Sequence, residues 1–348
     1  MWSCVAPQAR ACHQAALQEL TRGAAKFVRC LLVGTDVARL RGAQTGVVTS
    51  ERGIVGVVAW KPLPSNLPLV EGWRRLGIRA ELLRPGEARR RLGLGDVALA
   101  RLDVASGLDG VEAGLLEIGV LQRLGVRVLN PPAALLAAHD KRETARRLTV
   151  AGIPHPRTLH RGRLEEVRAL EFPFVLKPRF GSWGRDVMLC RDADELERCL
   201  ARVRERSWFR RDGVLVQEFV PPQGYDLRVI VAGDRVVGAE RRIAAAGEWR
   251  TNEALGARAA QAQPSERQSA LAIEAAHAIG ADLLGVDLLP LAGDGCVVIE
   301  VNGAVDFDAE ESLPGRNVYI DAAEALALRE TDHGLTDTLR PSVAGPTG

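Results

Sequence analysis

Lys177 ends an apolar run, Phe174-Val-Leu-Lys177, and is followed by Pro-Arg-Phe-Gly181-Ser182-Trp183-Gly184-Arg185. Glycines let backbone N–H groups turn toward a phosphate without a Cβ in the way, and a lysine adds a point charge. The segment lacks the GK[ST] of a Walker loop and does not match the dinucleotide fingerprint. Three oxygen donors, Asp287, Glu300 and Asn302, lie on two apolar stretches, LLGVDLLP and VVIEVN. Glu300 and Asn302 are two apart and share a strand face. A hairpin register with Pro290 opposite Val297 sets Asp287 against Glu300, a set that suits a hard divalent cation shared with phosphates. The run Val214-Leu-Val-Gln217-Glu218-Phe219-Val220 can present backbone to an adenine edge, with Asp226 downstream for a ribose hydroxyl and Arg228 beyond it. In Glu248-Trp-Arg250-Thr251-Asn252, Arg250 has the fork geometry that phosphate oxygens accept. Taken singly, each group has an ordinary explanation as a solvated loop or the wet face of a sheet.

These residues need two kinds of scaffold. Gly53–Trp60, Arg79–Leu83, Val97–Leu102 and Val126–Leu129 read as strands, alternating with helices at Leu67–Leu76 and Val111–Leu124, which predicts a parallel α/β layer. Asn130-Pro131-Pro132 marks a break, followed by helices at Ala133–Ala138 and Lys141–Ala151. The second half predicts strands at Phe174–Pro178, Asp186–Cys190 and Val214–Val220, and a hairpin over Leu227–Arg241 that turns at Gly233-Asp234. Helices are predicted at Ala193–Glu205 and Pro264–Ile279, and a further hairpin pairs Asp282–Pro290 with Cys296–Val301. The expected organisation is an N-terminal extension (1–50), either disordered or the product of a misassigned start, with one strand at Lys26–Gly34. An α/β domain (51–130), two α+β lobes (131–215 and 216–328) and a flexible tail (329–348) complete it.

The chain has 348 residues and a formal net charge of +2, which gives no global pull toward nucleic acid or anionic membrane. No apolar run has the length of a membrane helix, and Met1–Arg10 has no secretory pattern, so the expected compartment is the cytoplasm. Cys4, Cys12, Cys30, Cys190, Cys199 and Cys296 are scattered and read as free thiols. Of 46 basic residues only Lys26, Lys61, Lys141 and Lys177 are lysine. A chain that uses arginine almost everywhere keeps lysine where chemistry asks for it.

In this order and spacing the motifs resemble the ATP-grasp superfamily, and within it the RimK-type α-L-glutamate ligases and the ligases that act on amino-group carrier proteins. The pieces are HDK (139–141), VLKPRFGSWGRDV (175–187), VQEFV (216–220), YDLRVIV (225–231), AERR (239–242), EWRTN (248–252), GVDLL (285–289) and VIEVNGAVDF (298–307). The resemblance implies two lobes clamping ATP. Lys141 and Lys177 would contact phosphates, and Gly181, Ser182, Trp183 and Gly184 would close over them. Glu218 and Phe219 would form the adenine hinge, Asp226 would reach the ribose, and Thr251 would join the nucleotide set. Asp287, Glu300 and Asn302 would hold two Mg²⁺, for which Mn²⁺ can substitute, while Arg228, Arg250 and Asn252 would face the acyl phosphate.

Two positions depart from the pattern: Gly285 stands where some relatives place an arginine, so Arg228 or Arg250 must serve, and Gly303-Ala304 follows Asn302. The implied reaction joins a carboxylate to an amine, adding glutamate or a similar amino acid to a small molecule, a peptide terminus or an acidic carrier protein, in a homo-oligomer. The Arg-rich stretch 202–211 offers a dock for such a carrier, or is a solvated helix face. A nucleotide-binding regulatory module and a phosphotransferase are the other readings. No histidine is expected near the metal motif, which disfavours a phosphohistidine route.

Overall fold

The computed structural model describes residues 53–60, 65–293 and 295–328. The expected extension (1–50), its Lys26–Gly34 strand, Lys61, the three N-terminal cysteines and the tail from 329 lie outside the described residues. The three described cysteines, Cys190, Cys199 and Cys296, are free.

The chain begins with β1 (Val55–Val58), α1 (Asn66–Arg75), β2 (Ala80–Leu83), α2 (Pro85–Arg91), β3 (Val97–Ala100), α3 (Leu115–Arg123) and β4 (Arg127–Leu129). The strands form a parallel sheet in the order β2-β1-β3-β4, as continuous apolar runs between helices dictate. Helix α3 starts four residues later than expected. Val111 bridges back to Val104, and Gly114, at φ 125°, turns the chain into the helix.

Helices α4 (Pro132–His139) and α5 (Lys141–Val150) lead to β5 (Thr158–Arg161), α6 (Leu164–Arg168), β6 (Phe174–Lys177), β7 (Met188–Cys190), α7 (Ala193–Arg204), α8 (Ser207–Asp212) and β8 (Val214–Glu218). This lobe is an antiparallel sheet ordered β5-β8-β6-β7. Its core joins Phe174, Leu176 and Val216 to Leu196, Leu200 and Trp208. Strand β5 was not anticipated, since THLR-type polar residues carry no alternation. Strand β7 is shorter than expected because Asp186 adopts φ 54°.

The last lobe contains β9 (Tyr225–Ala232), β10 (Arg235–Ile243), β11 (Arg258–Gln261), α9 (Glu266–Ile279), β12 (Leu283–Pro290), β13 (Cys296–Asn302) and α10 (Val318–Ala325). Its antiparallel sheet runs β11-β10-β9-β12-β13. Strands β9 and β10 turn at Gly233-Asp234 as predicted. One face of this sheet, with Val229, Val231, Val286 and Val298, packs on α4, α5 and α9. On the other face Ile230, Ala232 and Leu283 share a core with Val57, Trp73, Val305 and α10. Two residues further along the same face the alternation delivers Arg228, Asp287 and Asp226 instead.

Candidate active site between the two lobes

Register decides where the acids fall. Pro290 pairs with Cys296, not Val297, and Leu288 with Val298, yet Asp287 pairs with Glu300. A bulge at Ile299 absorbs the extra residue and restores the expected acid pair. It also turns both Ile299 and Glu300 toward the cleft between the lobes. That cleft encloses about 900 Å³.

Strand β6 ends at Lys177, which is buried and donates to Gln217 Oε1 on β8 at 2.7 Å. Burial, reinforced by nearby Lys141, brings the Lys177 ammonium down to about 7. Lys141 is placed by the start of α5, where Asp140 caps the helix and is gripped by Arg179 through both carboxylate oxygens. Its Nζ reaches Gly181 O at 2.6 Å and Glu300 Oε1 at 2.9 Å. The two lysines thus come from different elements to one spot.

Gly181, Ser182 and Gly184 line the cleft, whereas Trp183, at φ 61°, points out and is 44% exposed. Gly184 must be glycine twice over: its φ is 66°, and a Cβ would lie 2.5 Å from Asn252 Oδ1. The two predicted loops therefore abut. Arg250 couples them further, donating to the carbonyls of Val187 and Gly184 while Glu248 holds its guanidinium. Arg250, Thr251 and Asn252 all face the cleft.

Glu218 and Phe219 line the other end with Val175, Val220, Leu289 and Ile299, an apolar slot edged by strand backbone. Phe219 meets Trp249 edge to face, with ring centroids 5.8 Å apart. Glu218 exchanges two hydrogen bonds with the Arg157 backbone.

Asp226 also reaches the cleft, but both of its oxygens are taken by Arg242, and Thr251 bonds to it as well. Burial pushes Asp226 upward against that pairing. Asp287 accepts from Arg228 at 2.9 and 3.0 Å and from Arg242 at 2.8 Å. Burial would raise its carboxyl, yet Arg228 and Arg242 outweigh it and hold Asp287 below the usual carboxylate range. Arg242, in the AERR motif, is the main site residue to which the sequence assigned no role: polar pairs across strands are visible only once the register is known. Arg228 stands behind Asp287, outside the cleft lining, and Asn302 turns its Oδ1 to Ala304 N at 2.9 Å. Gly285 has no room for the arginine some relatives carry, because a Cβ there would lie 2.5 Å from Val305 Cγ2.

The expectation that no histidine lies near the metal motif is wrong. His139, buried at the end of α4, is close enough to feel Lys141 and Glu300 electrostatically. The sequence separates the two by 161 positions, so only the fold of α4 against β13 shows it. The arginine stretch is partly committed within the chain: Arg206 pairs with Asp186 and Arg211 with Asp109.

Residues 138–326 match the RimK-like ATP-grasp domain model. The chain belongs to this family. Among its RimK-like relatives, a probable alpha-L-glutamate ligase of Xylella fastidiosa is 30% identical over 74% of this chain and 89% of its own length. Human beta-citrylglutamate synthase B is 32% identical over 59% of this chain. The chain spans about half the length of the beta-citrylglutamate synthases it matches, 55% for the human protein. A RimK domain ATP-grasp protein of Sphaerobacter thermophilus has a TM-score of 0.56 at 27% identity, covering 79% of this chain and all of that one. The D-alanine–D-alanine ligase of Bacillus anthracis complexed with ATP shares the fold, with a TM-score of 0.57 at 18% identity over 79% of this chain and 94% of its own. The ATP-grasp frame of this RimK-like chain is thus the pair of antiparallel lobes, preceded by the parallel α/β layer. Among the described residues no helix is long and apolar enough to cross a membrane.

Proposed function

We propose that the protein is an ATP- and Mg²⁺-dependent carboxylate–amine ligase that works through an acyl phosphate. The observation that carries this is the segregation of charge in one cleft. Lys177 is buried against a neutral amide oxygen, while Asp287 and Glu300 face each other beside it. A buried cation with a neutral partner is costly until an anion arrives, and a triphosphate is such an anion. The apolar slot by Phe219 fits a nucleobase, with Glu218 at the hinge. Asp226, engaged by Arg242, supports that wall and its reach to a ribose remains part of the proposal.

The donor chemistry fits magnesium. Among the described residues no three His, Cys, Asp or Glu side chains gather into a cage, and Mg²⁺ is typically held by one or two carboxylates together with phosphates. Asp287, Glu300 and Asn302 would hold it, with two ions in the reading offered here and Mn²⁺ as a substitute. The metal would supply charge neutralisation at the phosphates. Until then Arg228, Arg242 and Lys141 balance the acids.

The chain's own groups do the rest. Lys141 and Lys177 draw the phosphates in, and the glycine loop and the 248–252 loop cover them and exclude water. A substrate carboxylate oxygen forms a bond to the γ-phosphorus as the bridging oxygen leaves with ADP. Arg250 neutralises the anion–anion approach. An amine nitrogen then attacks the acyl carbon, phosphate departs, and the amine's proton is lost. Glutamate is the proposed amino acid, since both kinds of relative bear it in their names. The acceptor is a small molecule, a peptide terminus or a carrier protein.

ADP release by the purified protein with ATP and Mg²⁺ is expected to depend on L-glutamate and an acceptor, with mass spectrometry showing the product heavier by one glutamyl residue. ADP without an amide, or a phosphorylated product, would overturn the ligase reading.

A further inference from the structure

Arg101 follows β3 at the carboxyl end of the parallel sheet, on the boundary between β1 and β3 where the strand order reverses direction. Crevices of this kind in open α/β sheets are common ligand sites. Arg101 is completely buried. Its Nε donates to Asn66 Oδ1, and its Nη2 donates to Ser65 Oγ at 2.9 Å and to Val305 O at 2.6 Å. Every one of these partners is neutral, and Nη1 has none. The other buried arginines of the site differ, since Arg228 and Arg242 both grip carboxylates. Burial takes the Arg101 guanidinium down to about 10, with Asp306 and Asp103 helping only from a distance. An unpaired buried cation with an unused donor is an expensive thing to keep.

A second group without a partner flanks the same stretch. His139 Nε2 is buried and unbonded, and would lie 3.4 Å from a Cβ on Gly303. The chain from Gly303 to Val305 therefore has an idle polar atom on each side, immediately after Asn302. This stretch leads from the acid pair of the cleft to Arg101.

We propose that Arg101 anchors a carboxylate of the acid substrate, with His139 and the 303–305 backbone completing the subsite, and that the ligand class is an α-amino or simple dicarboxylic acid. This rests on the ligase reading. A guanidinium fork matches a carboxylate, and the nucleotide phosphates already have Lys141 and Lys177. One carboxyl group held at Arg101 leaves the second free to react at the Glu300 end.

The test uses the full chain with Mg²⁺ and AMPPNP, titrated calorimetrically with L-glutamate, glutarate and inorganic phosphate. The wild type is expected to bind both dicarboxylates. Arg101→Gln is expected to lose about 10- to 100-fold in their affinity, the scale of one charge-assisted bond, with nucleotide affinity unchanged, and Arg101→Lys to recover part of the loss. Equal dicarboxylate affinity in wild type and Arg101→Gln, no dicarboxylate binding by the wild type, or phosphate binding as well as glutarate overturns the proposal. If Arg101→Gln does not fold, a crystal structure of the wild type with L-glutamate and AMPPNP decides: a carboxylate oxygen within hydrogen-bond distance of Nη1 supports it, and a carboxylate bound elsewhere sinks it. Arg101-dependent binding without amide formation would refute the ligase reading and leave the subsite standing.

Discussion

Lys177 and Arg242 show opposite ways of keeping a cation inside a protein. Lys177 has only Gln217 for a partner, and burial depresses its pKa to about 7. In the free protein between pH 7 and the ordinary lysine value, the unfolded chain binds more protons than the folded one. Stability from this group therefore rises with pH across that window and is flat below it. A bound triphosphate favours the charged form, so nucleotide binding at pH 8 is expected to take up a proton. Calorimetry in buffers of different ionisation enthalpy reads this, and Lys177→Met is expected to abolish the uptake. Arg242 instead sits between Asp226 and Asp287. Removing one member of a buried pair strands the others, so Arg242→Met is expected to cost about 3–5 kcal/mol in urea unfolding. Adding Asp226→Asn to that variant is expected to return part of it; full additivity of the two losses would show that the pair does not act as a unit.

At the scale of elements, two loops and one bulge shape the cleft. Gly184 and Gly247 both have positive φ, at 66° and 79°, so a side chain strains either backbone by about 1–2 kcal/mol. Only at Gly184 would the new Cβ strike the opposite loop, at Asn252, since nothing lies within 4 Å at Gly247. Gly184→Ala is thus expected to reduce ADP formation at least tenfold, mainly through weaker use of ATP, while Gly247→Ala keeps near wild-type rates. Similar losses in both would mean that backbone strain, not the meeting of the loops, is what matters. The β13 bulge illustrates the limit of pattern reading. The pairing of Asp287 with Glu300 was legible from alternation, but the register of the hairpin end was off by one and the bulge supplied the difference.

For the whole molecule, Asn130 is the joint between the parallel layer and the five-stranded sheet. Its Nδ2 donates to the carbonyls of Leu283 at 2.7 Å and Gly303 at 3.1 Å, and its Oδ1 accepts from the backbone N–H groups of Asp282 and Leu283. The sequence marks Asn130-Pro-Pro as a mere break between segments. Asn130→Ala is expected to destabilise the protein by about 2–4 kcal/mol, because several buried backbone groups lose their partner at once. Asn130→Gly, which relieves the positive φ of 55°, is expected to be comparably unstable. Wild-type stability in the glycine variant would show that the backbone conformation alone explains the residue.

Local order in the sequence determined a great deal: the alternation of apolar strands with helices, the hairpin at Gly233-Asp234, the lysine at the end of an apolar strand and the acids two apart on another. These are short-range properties, set by side-chain period and turn chemistry, and eight motifs in sequence carried the family resemblance. What the tertiary structure alone decided is which charges meet. Arg242 on Asp226 and Asp287, His139 beside Glu300, and Arg101 against Val305 are contacts between distant segments. Their partners are chosen by strand register and by the packing of one layer on another. A polar residue in a one-dimensional pattern announces only that it is polar; burial and the identity of its neighbour, which fix its charge and its use, exist only once the layers close.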